Sequence, residues 1–135
     1  MGHHNTSKKY LIDSSVMVSY YLLDDSKHTD AYAFFSGILT QADTVYLTHA
    51  CVHEIATVLT YTATKKIADG FLHDMQTLWV IFLSDPITEE IWAFIATDIK
   101  MSFTDISLVY LSRKHDYLLV TFDKQMQKLY EKSFL

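Results

Sequence analysis

Tyr10-Leu11-Ile12-Asp13-Ser14-Ser15-Val16 is a short apolar run that ends abruptly in a carboxylate and two hydroxyls. Apolar residues then resume at helical spacing. The run from about Lys8 to Asp13 reads as a buried strand. Its carboxyl end would present Asp13 at the lip of a sheet, the edge where open α/β sheets bind ligands. What the chain does then depends on whether other carboxylates reach the same edge.

Working outward, Val16, Val18, Tyr20, Tyr21, Leu22 and Leu23 predict a short helix, closed by Asp24-Asp25-Ser26. A second helix is expected from about Lys27 to Gln41. Its apolar residues Ala31, Phe34, Phe35, Ile38 and Leu39 share one buried face. Thr44-Val45-Tyr46-Leu47-Thr48 is β-branched and aromatic, the signature of a strand. Helices follow over about His49 to Thr62 and from Lys65-Lys66 through Leu78. Trp79-Val80-Ile81-Phe82-Leu83 is apolar throughout, as expected of a strand covered on both faces.

Asp85-Pro86 predicts a helix start, with Asp at the N-cap and Pro in the first helical position. That helix should run to about Lys100. Ser102-Phe103-Thr104-Asp105 opens another, reaching about Lys114. Tyr117 to Phe122 forms the fourth strand, and Asp123 follows at once. A short helix takes Lys124 to about Glu131, and Ser133-Phe134-Leu135 leaves room for a few strand residues. The alternation predicts one α/β domain with a mostly parallel sheet of four to five strands flanked by helices. Right-handed crossovers put all strand carboxyl ends on one edge.

Composition narrows the class. A chain of 135 residues, half of them hydrophobic, is one domain with a proper core. Three glycines and one proline argue against a loop-rich or disordered chain. The net charge of −5 argues against a generic nucleic-acid coat, which would be basic. It leaves open an enzyme that holds a phosphodiester through cations recruited by its own carboxylates. Cys51, the only cysteine, permits no intramolecular disulfide and no multi-cysteine zinc site. Beside Ala50 and Val52, it reads as a small buried hydrophobe. No apolar run approaches the ~20 residues of a membrane span. Residues 1–7 are polar, lack the pattern of a secretory signal, and are set aside as a disordered or expression-derived terminus. A soluble, cytoplasmic protein is the expectation.

Asp13 and Asp123 both follow apolar strands directly, so both belong on one sheet edge. Asp105 starts the helix that feeds the fourth strand, and Glu54 lies about one turn into the helix that leaves the second. Each has a plain alternative. Asp13 and Asp123 suit helix N-caps, Asp105 suits the third helical position opposite Ser102 in a capping box, and Glu54 suits a solvated helix face. Those readings do not explain why four acids arrive at one edge from four elements. Crowded carboxylates repel unless a cation sits among them, and hard oxygen ligands suit Mg²⁺ or Mn²⁺.

The same residues resemble PIN domains, and among them the toxin ribonucleases of VapBC-type toxin–antitoxin pairs. Asp13-Ser14-Ser15-Val16 is similar to the family's opening. His28-Thr29-Asp30-Ala31 followed by Phe34-Phe35 is similar to its H-x-x-A-x-x-F-F helix. Glu54-Ile55, Ser102-Phe103-Thr104-Asp105 and Leu118-Leu119-Val120-Thr121-Phe122-Asp123 complete the pattern. The resemblance spans Lys8 to Tyr130. It implies a three-layer nuclease domain over residues 8–135. Asp13, Glu54, Asp105 and Asp123 would be catalytic and hold Mg²⁺ or Mn²⁺, with Ser15 and Thr121 as supporting hydroxyls. It further implies RNA as substrate, a small antitoxin protein as partner, and a homodimer. Two departures stand out. His115-Asp116-Tyr117 occupies a turn where the family often has glycine, and Gln125 stands where some members carry another acid.

Other readings remain in view: a PIN nuclease of RNA processing, or a PIN-like module that binds RNA or protein without activity. A receiver-like phospho-acceptor domain would want an acidic pair at the first strand, which Tyr10-Leu11-Ile12-Asp13 lacks. His49 and His53 have zinc-pair spacing, but no Glu follows the first, so the metalloprotease pattern is absent. Tyr20, Tyr21 and Trp92 are candidates for stacking bases or for a dimer contact. Lys8, Lys9, Lys65, Lys66, Lys100, Arg113, Lys114 and Lys124 are the cations considered for RNA phosphates.

Overall fold

The computed structural model describes residues 7–78 and 80–132. Strand β1 (Lys9–Ile12) is central, and Leu11 and Ile12 are fully buried. It pairs in parallel with β2 (Thr44–Thr48), Leu11 opposite Tyr46, and on its other side with β4 (Leu118–Val120), Leu11 opposite Leu119. Strand β3 (Val80–Leu83) pairs in parallel with β2 and forms the far edge, so the order is β3-β2-β1-β4.

This order fixes where a site can form. From β1 the chain steps outward to β2 and β3, then returns to place β4 on the opposite flank of β1. Strands β1 and β4 therefore flank a topological switch point, where the crossing connections leave a crevice at the strand carboxyl ends.

Seven α-helices lie among the described residues: α1 (Ser14–Tyr21), α2 (His28–Ala33), α3 (His49–Thr62), α4 (Lys65–Thr77), α5 (Ile87–Ala96), α6 (Phe103–His115) and α7 (Lys124–Lys132). Helices α3 and α4 begin at Thr48 and Thr64, whose side chains accept from the amides of Cys51 and Ile67. They bury Ile55, Leu59, Ala68, Phe71 and Met75 in the core shared with β1 and β2. Helix α7 buries Met126 and Tyr130, and the Tyr130 hydroxyl donates to the Tyr117 carbonyl at 2.8 Å. Tyr117 stacks on Tyr46 with ring centroids 4.3 Å apart. The base of β4 is thus held against β2's neighbourhood and α7 together.

Several expectations change. The second helix does not run to Gln41. It is α-helical to Ala33 and continues as a π-helical turn over Phe34–Ile38, closed by the Leu39 amide on the Phe34 carbonyl. The wider turn lets Phe34 meet Tyr10 edge-on at 5.0 Å while Phe35 turns to Tyr20 at 4.9 Å. Strand β3 is not covered on both faces. As an edge strand it leaves Ile81 49% and Phe82 38% exposed, and Trp79 lies outside the described residues. Asp85 does not cap the following helix. Pro86 takes the N-cap position and Asp85 is drawn to His115 and Lys114 instead. That helix ends at Ala96, not Lys100. The fourth strand ends at Val120, level with the end of β1, and the Thr121 side chain beyond it reaches Asp13. A fifth strand at 133–135, and most of the 1–7 segment, lie outside the described residues.

Candidate active site

Asp13 sits at the mouth of the β1–β4 crevice, and its amide extends the ladder by donating to the Val120 carbonyl at 2.9 Å. It occupies the residue before α1 but makes no side-chain capping bond. Its carboxylate is instead buried, at 5% exposure, and accepts on Oδ2 from Ser15 Oγ at 2.9 Å and Thr121 Oγ1 at 2.8 Å. Ser14 Oγ approaches Oδ1 only to 3.5 Å. A carboxylate taken out of water normally has a cationic partner. Among the described residues, no ion pair reaches Asp13, Glu54, Asp105 or Asp123.

Asp105 is positioned by a capping bond. Ser102 Oγ accepts from the Asp105 amide at 3.1 Å, which fixes the first turn of α6. The capping bond uses the Asp105 backbone and leaves its carboxyl half-buried at the edge. Burial pushes that carboxyl above its ordinary range. The charge of Asp13 adds to this, the Ser102 hydrogen bond opposes it, and the charges of Asp123 and Glu54 push it further up. Four acids from four elements are therefore close enough for Asp105 to feel the other three.

Asp123 does cap α7: its Oδ1 accepts from the amides of Gln125 at 2.8 Å and Met126 at 3.0 Å. Its own amide donates to Thr121 Oγ1 at 3.0 Å. Glu54 is exposed on α3, one turn beyond Thr48. Beneath them lies the Cys51 thiol, fully buried. Burial pushes its pKa up to about 11, a Thr48 hydrogen bond opposes, and the charges of Asp13 and Glu54 add to the rise. It is an inert neighbour of the site, as its apolar flanks suggested.

The acids converge without forming a finished cage. Among the described residues, no three His, Cys, Asp or Glu side chains stand close enough together to hold a metal ion as they are. His49 and His53 are exposed, and His49 faces the Phe82 ring at 6.3 Å. The donor set nonetheless fits a hard divalent cation: oxygen only, net negative, and unpaired by any basic side chain.

Ser15 and Thr121 both reach Asp13. The residue that sequence reading passed over is Lys27, whose ammonium lies 5.9 Å from the centroid of the Phe122 ring, beside Thr121 and Asp123. Nothing in the local sequence signals this pairing, since it joins the start of α2 to the end of β4 across the tertiary fold.

The fold and the edge together define an α/β domain with carboxylates gathered at a parallel-sheet switch point. A family model described as the PIN domain matches residues 10–132, and the chain belongs to that family. Among solved structures it is similar to VapC20 of Mycobacterium tuberculosis, a sarcin–ricin loop cleaving toxin. The TM-score is 0.77 at 17% identity, covering 88% of this chain and 93% of that one. It is also similar to PAE2754 of Pyrobaculum aerophilum, with a TM-score of 0.59 at 16% identity, covering 92% and 86%. At such identities the likeness is one of fold. No curated protein matches. No helix among the described residues is long and apolar enough to cross a membrane.

Proposed function

We propose that this protein is a metal-dependent endoribonuclease whose site is Asp13, Glu54, Asp105 and Asp123, and that it is the toxin of a toxin–antitoxin pair. The observation that carries the chemistry is the Asp13 carboxylate at the switch point between β1 and β4, tied through the Thr121 hydroxyl to the amide of Asp123. With it goes the burial of Asp13 beside hydroxyl donors and no cation.

The four carboxylates would hold Mg²⁺ or Mn²⁺. When bound, such an ion supplies a Lewis acid that makes water nucleophilic near neutral pH and offsets charge developing on a phosphate. The protein's own part is positioning. Ser15 and Thr121 fix Asp13 Oδ2, which leaves Oδ1 as the oxygen directed away from those donors. Thr121 also ties the Asp123 amide to the same point, so the ends of β1 and β4 keep one geometry. Ser102 holds the start of α6 so that Asp105 faces the crevice. The reaction is hydrolysis: water adds to phosphorus, the ribose 3′ oxygen leaves, and the products carry 5′-phosphate and 3′-hydroxyl ends.

RNA cleavage assays test this reading. Asp13→Asn should abolish cleavage while leaving thermal unfolding intact or slightly raised, because a repelling charge is removed. EDTA should abolish it in the parent. Full cleavage by the variant, or undiminished cleavage in EDTA, would overturn the mechanism.

The toxin role draws support from the motif resemblance and from the likeness in fold to VapC20, itself a toxin. Exposed apolar residues on α5, with Trp92 at 67% and Ile95 at 68%, support a homodimer. Expression of the chain alone in a bacterium should arrest growth, and Asp13→Asn should relieve the arrest. Normal growth with the active chain present would remove the toxin role and leave the nuclease standing.

A further inference from the structure

RNA that approaches an edge carrying four carboxylates must find positive charge on the protein as well. Several basic side chains are already engaged elsewhere. Lys65 pairs with Asp69 on α4, and Lys114 is divided between Asp85 and Glu89. Lys27 is placed differently. Its ammonium stands over the Phe122 ring at 5.9 Å from the centroid, within cation–π range. Phe122 lies between Thr121, which holds Asp13, and Asp123.

The corner that carries Lys27 is built rather than loose. Asp25 Oδ2 accepts from both Ser19 Oγ and the Lys27 amide, each at 2.9 Å. The His28 amide donates to the Asp25 carbonyl at 3.0 Å, and the His28 ring nitrogen Nδ1 lies 2.9 Å from the Ser19 carbonyl. Ser19 is itself buried in α1. The lysine therefore leaves from a backbone fixed to the core, while the ring beneath it packs against that core. An exposed lysine with a fixed base and a fixed aromatic rest has less freedom to lose on meeting a phosphate.

We propose that Lys27, resting on Phe122, is a substrate-binding residue that takes an RNA backbone phosphate beside the acidic edge. The proposal rests on the nuclease reading, and it adds a phosphate contact on the α1–α2 corner. Lys27 binds and orients the strand and takes no part in bond breaking, so its loss should appear in KM and not in kcat.

Salt dependence supplies the test. In the Asp13→Asn background, which leaves RNA uncut, binding of a fluorescein-labelled, mixed-sequence single-stranded RNA oligomer is measured across salt concentrations in Mg²⁺. Adding Lys27→Gln should reduce the slope of log K against log salt by about 0.7, the amount for one single-strand phosphate contact. Lys27→Arg should keep the slope, and Lys65→Gln on α4, whose ammonium is engaged by Asp69, should leave it unchanged. In the otherwise unaltered enzyme, Lys27→Gln should raise KM several-fold with kcat preserved. An unchanged slope in Lys27→Gln, or a fall in kcat alone, would overturn the assignment while leaving the nuclease intact. Absence of RNA cleavage by the unaltered protein in Mg²⁺ or Mn²⁺ would overturn both. Circular dichroism confirms that each variant is folded.

Discussion

Thr121 Oγ1 donates to Asp13 Oδ2 at 2.8 Å, across 108 residues of sequence, and accepts from the Asp123 amide at 3.0 Å. One hydroxyl thus joins the ends of the two strands that flank the switch point.

Thr121→Val keeps the shape and removes the hydroxyl. The buried Asp13 carboxylate would lose one of its two short donors, a loss of about 1.5–3 kcal/mol for a hydrogen bond to a charged group. Support of this kind around a metal-binding carboxylate is worth about 10–100-fold in metal affinity or activity. RNA cleavage should fall by that factor, and denaturant unfolding should show a lower midpoint. Thr121→Ser should restore most of both.

Asp105 sets a pH dependence. Its folded-state pKa lies above the ordinary 3.8, through burial first and then the charge of Asp13. The folded state therefore binds this proton more tightly than the unfolded chain does. The associated stability is complete below 3.8 and is lost as pH rises through the raised folded value. In EDTA, Asp105→Asn should melt above the parent at neutral pH, and the advantage should disappear below pH 3.8. Millimolar Mn²⁺ should raise the melting temperature of the parent and not of the variant. Melting curves for the two proteins across pH check both statements.

The Asp85 network predicts the opposite sign at the other end of α6. Burial would raise the Asp85 carboxyl, but hydrogen bonds from His115 at 2.8 Å and Lys114 at 3.1 Å outweigh it and hold it below the ordinary range. Its contribution is present above pH 3.8 and is lost as pH falls through the lowered folded value. Asp85→Asn should therefore destabilise at neutral pH, by about 1–3 kcal/mol for charge-assisted bonds to a largely buried group. The deficit should shrink in acid. Amide exchange should quicken first in Ile87–Ala96, because Asp85 anchors the entry to that helix.

The sheet, and the edge that Asp13 and Asp123 share, were legible because strands that end in a carboxylate write their position into the chain directly. The Asp13 and Asp123 motifs needed only the parallel rule to share an edge. Local rules were less dependable where two partners competed for one residue. Asp85 carries a good capping signal, yet the Lys114 ammonium and the His115 ring compete for it, and no local pattern contains them. The apolar run at Val80–Leu83 predicted burial, but strand order places it at the sheet edge, and order is not a local property. The π-helical turn at Phe34–Ile38 sets Phe34 against Tyr10 and Phe35 against Tyr20, partners outside any local pattern. Lys27 on Phe122 was invisible for the same reason.

Asp116 closes α6 in the left-handed region, at φ 60° and ψ 45°. The Tyr117 amide donates to the Ser112 carbonyl at 2.7 Å and the Asp116 amide to the Arg113 carbonyl at 3.3 Å, the bond pattern of a Schellman turn. Asp tolerates this geometry where a β-branched residue does not. Asp116→Gly should therefore be neutral or stabilising by up to about 1 kcal/mol, as relief of strain is partly offset by unfolded-state entropy. Asp116→Val should cost about 1–2 kcal/mol. The Val variant should also lower cleavage by more than its stability loss explains. The turn aims Tyr117 between Tyr46 and His115, with centroids at 4.3 and 5.1 Å, and Tyr117 leads straight into the strand that delivers Thr121. Cleavage measured well below the melting temperature of both variants separates this aiming effect from simple unfolding. A Val variant with full activity there would show that β4 finds its register without the turn.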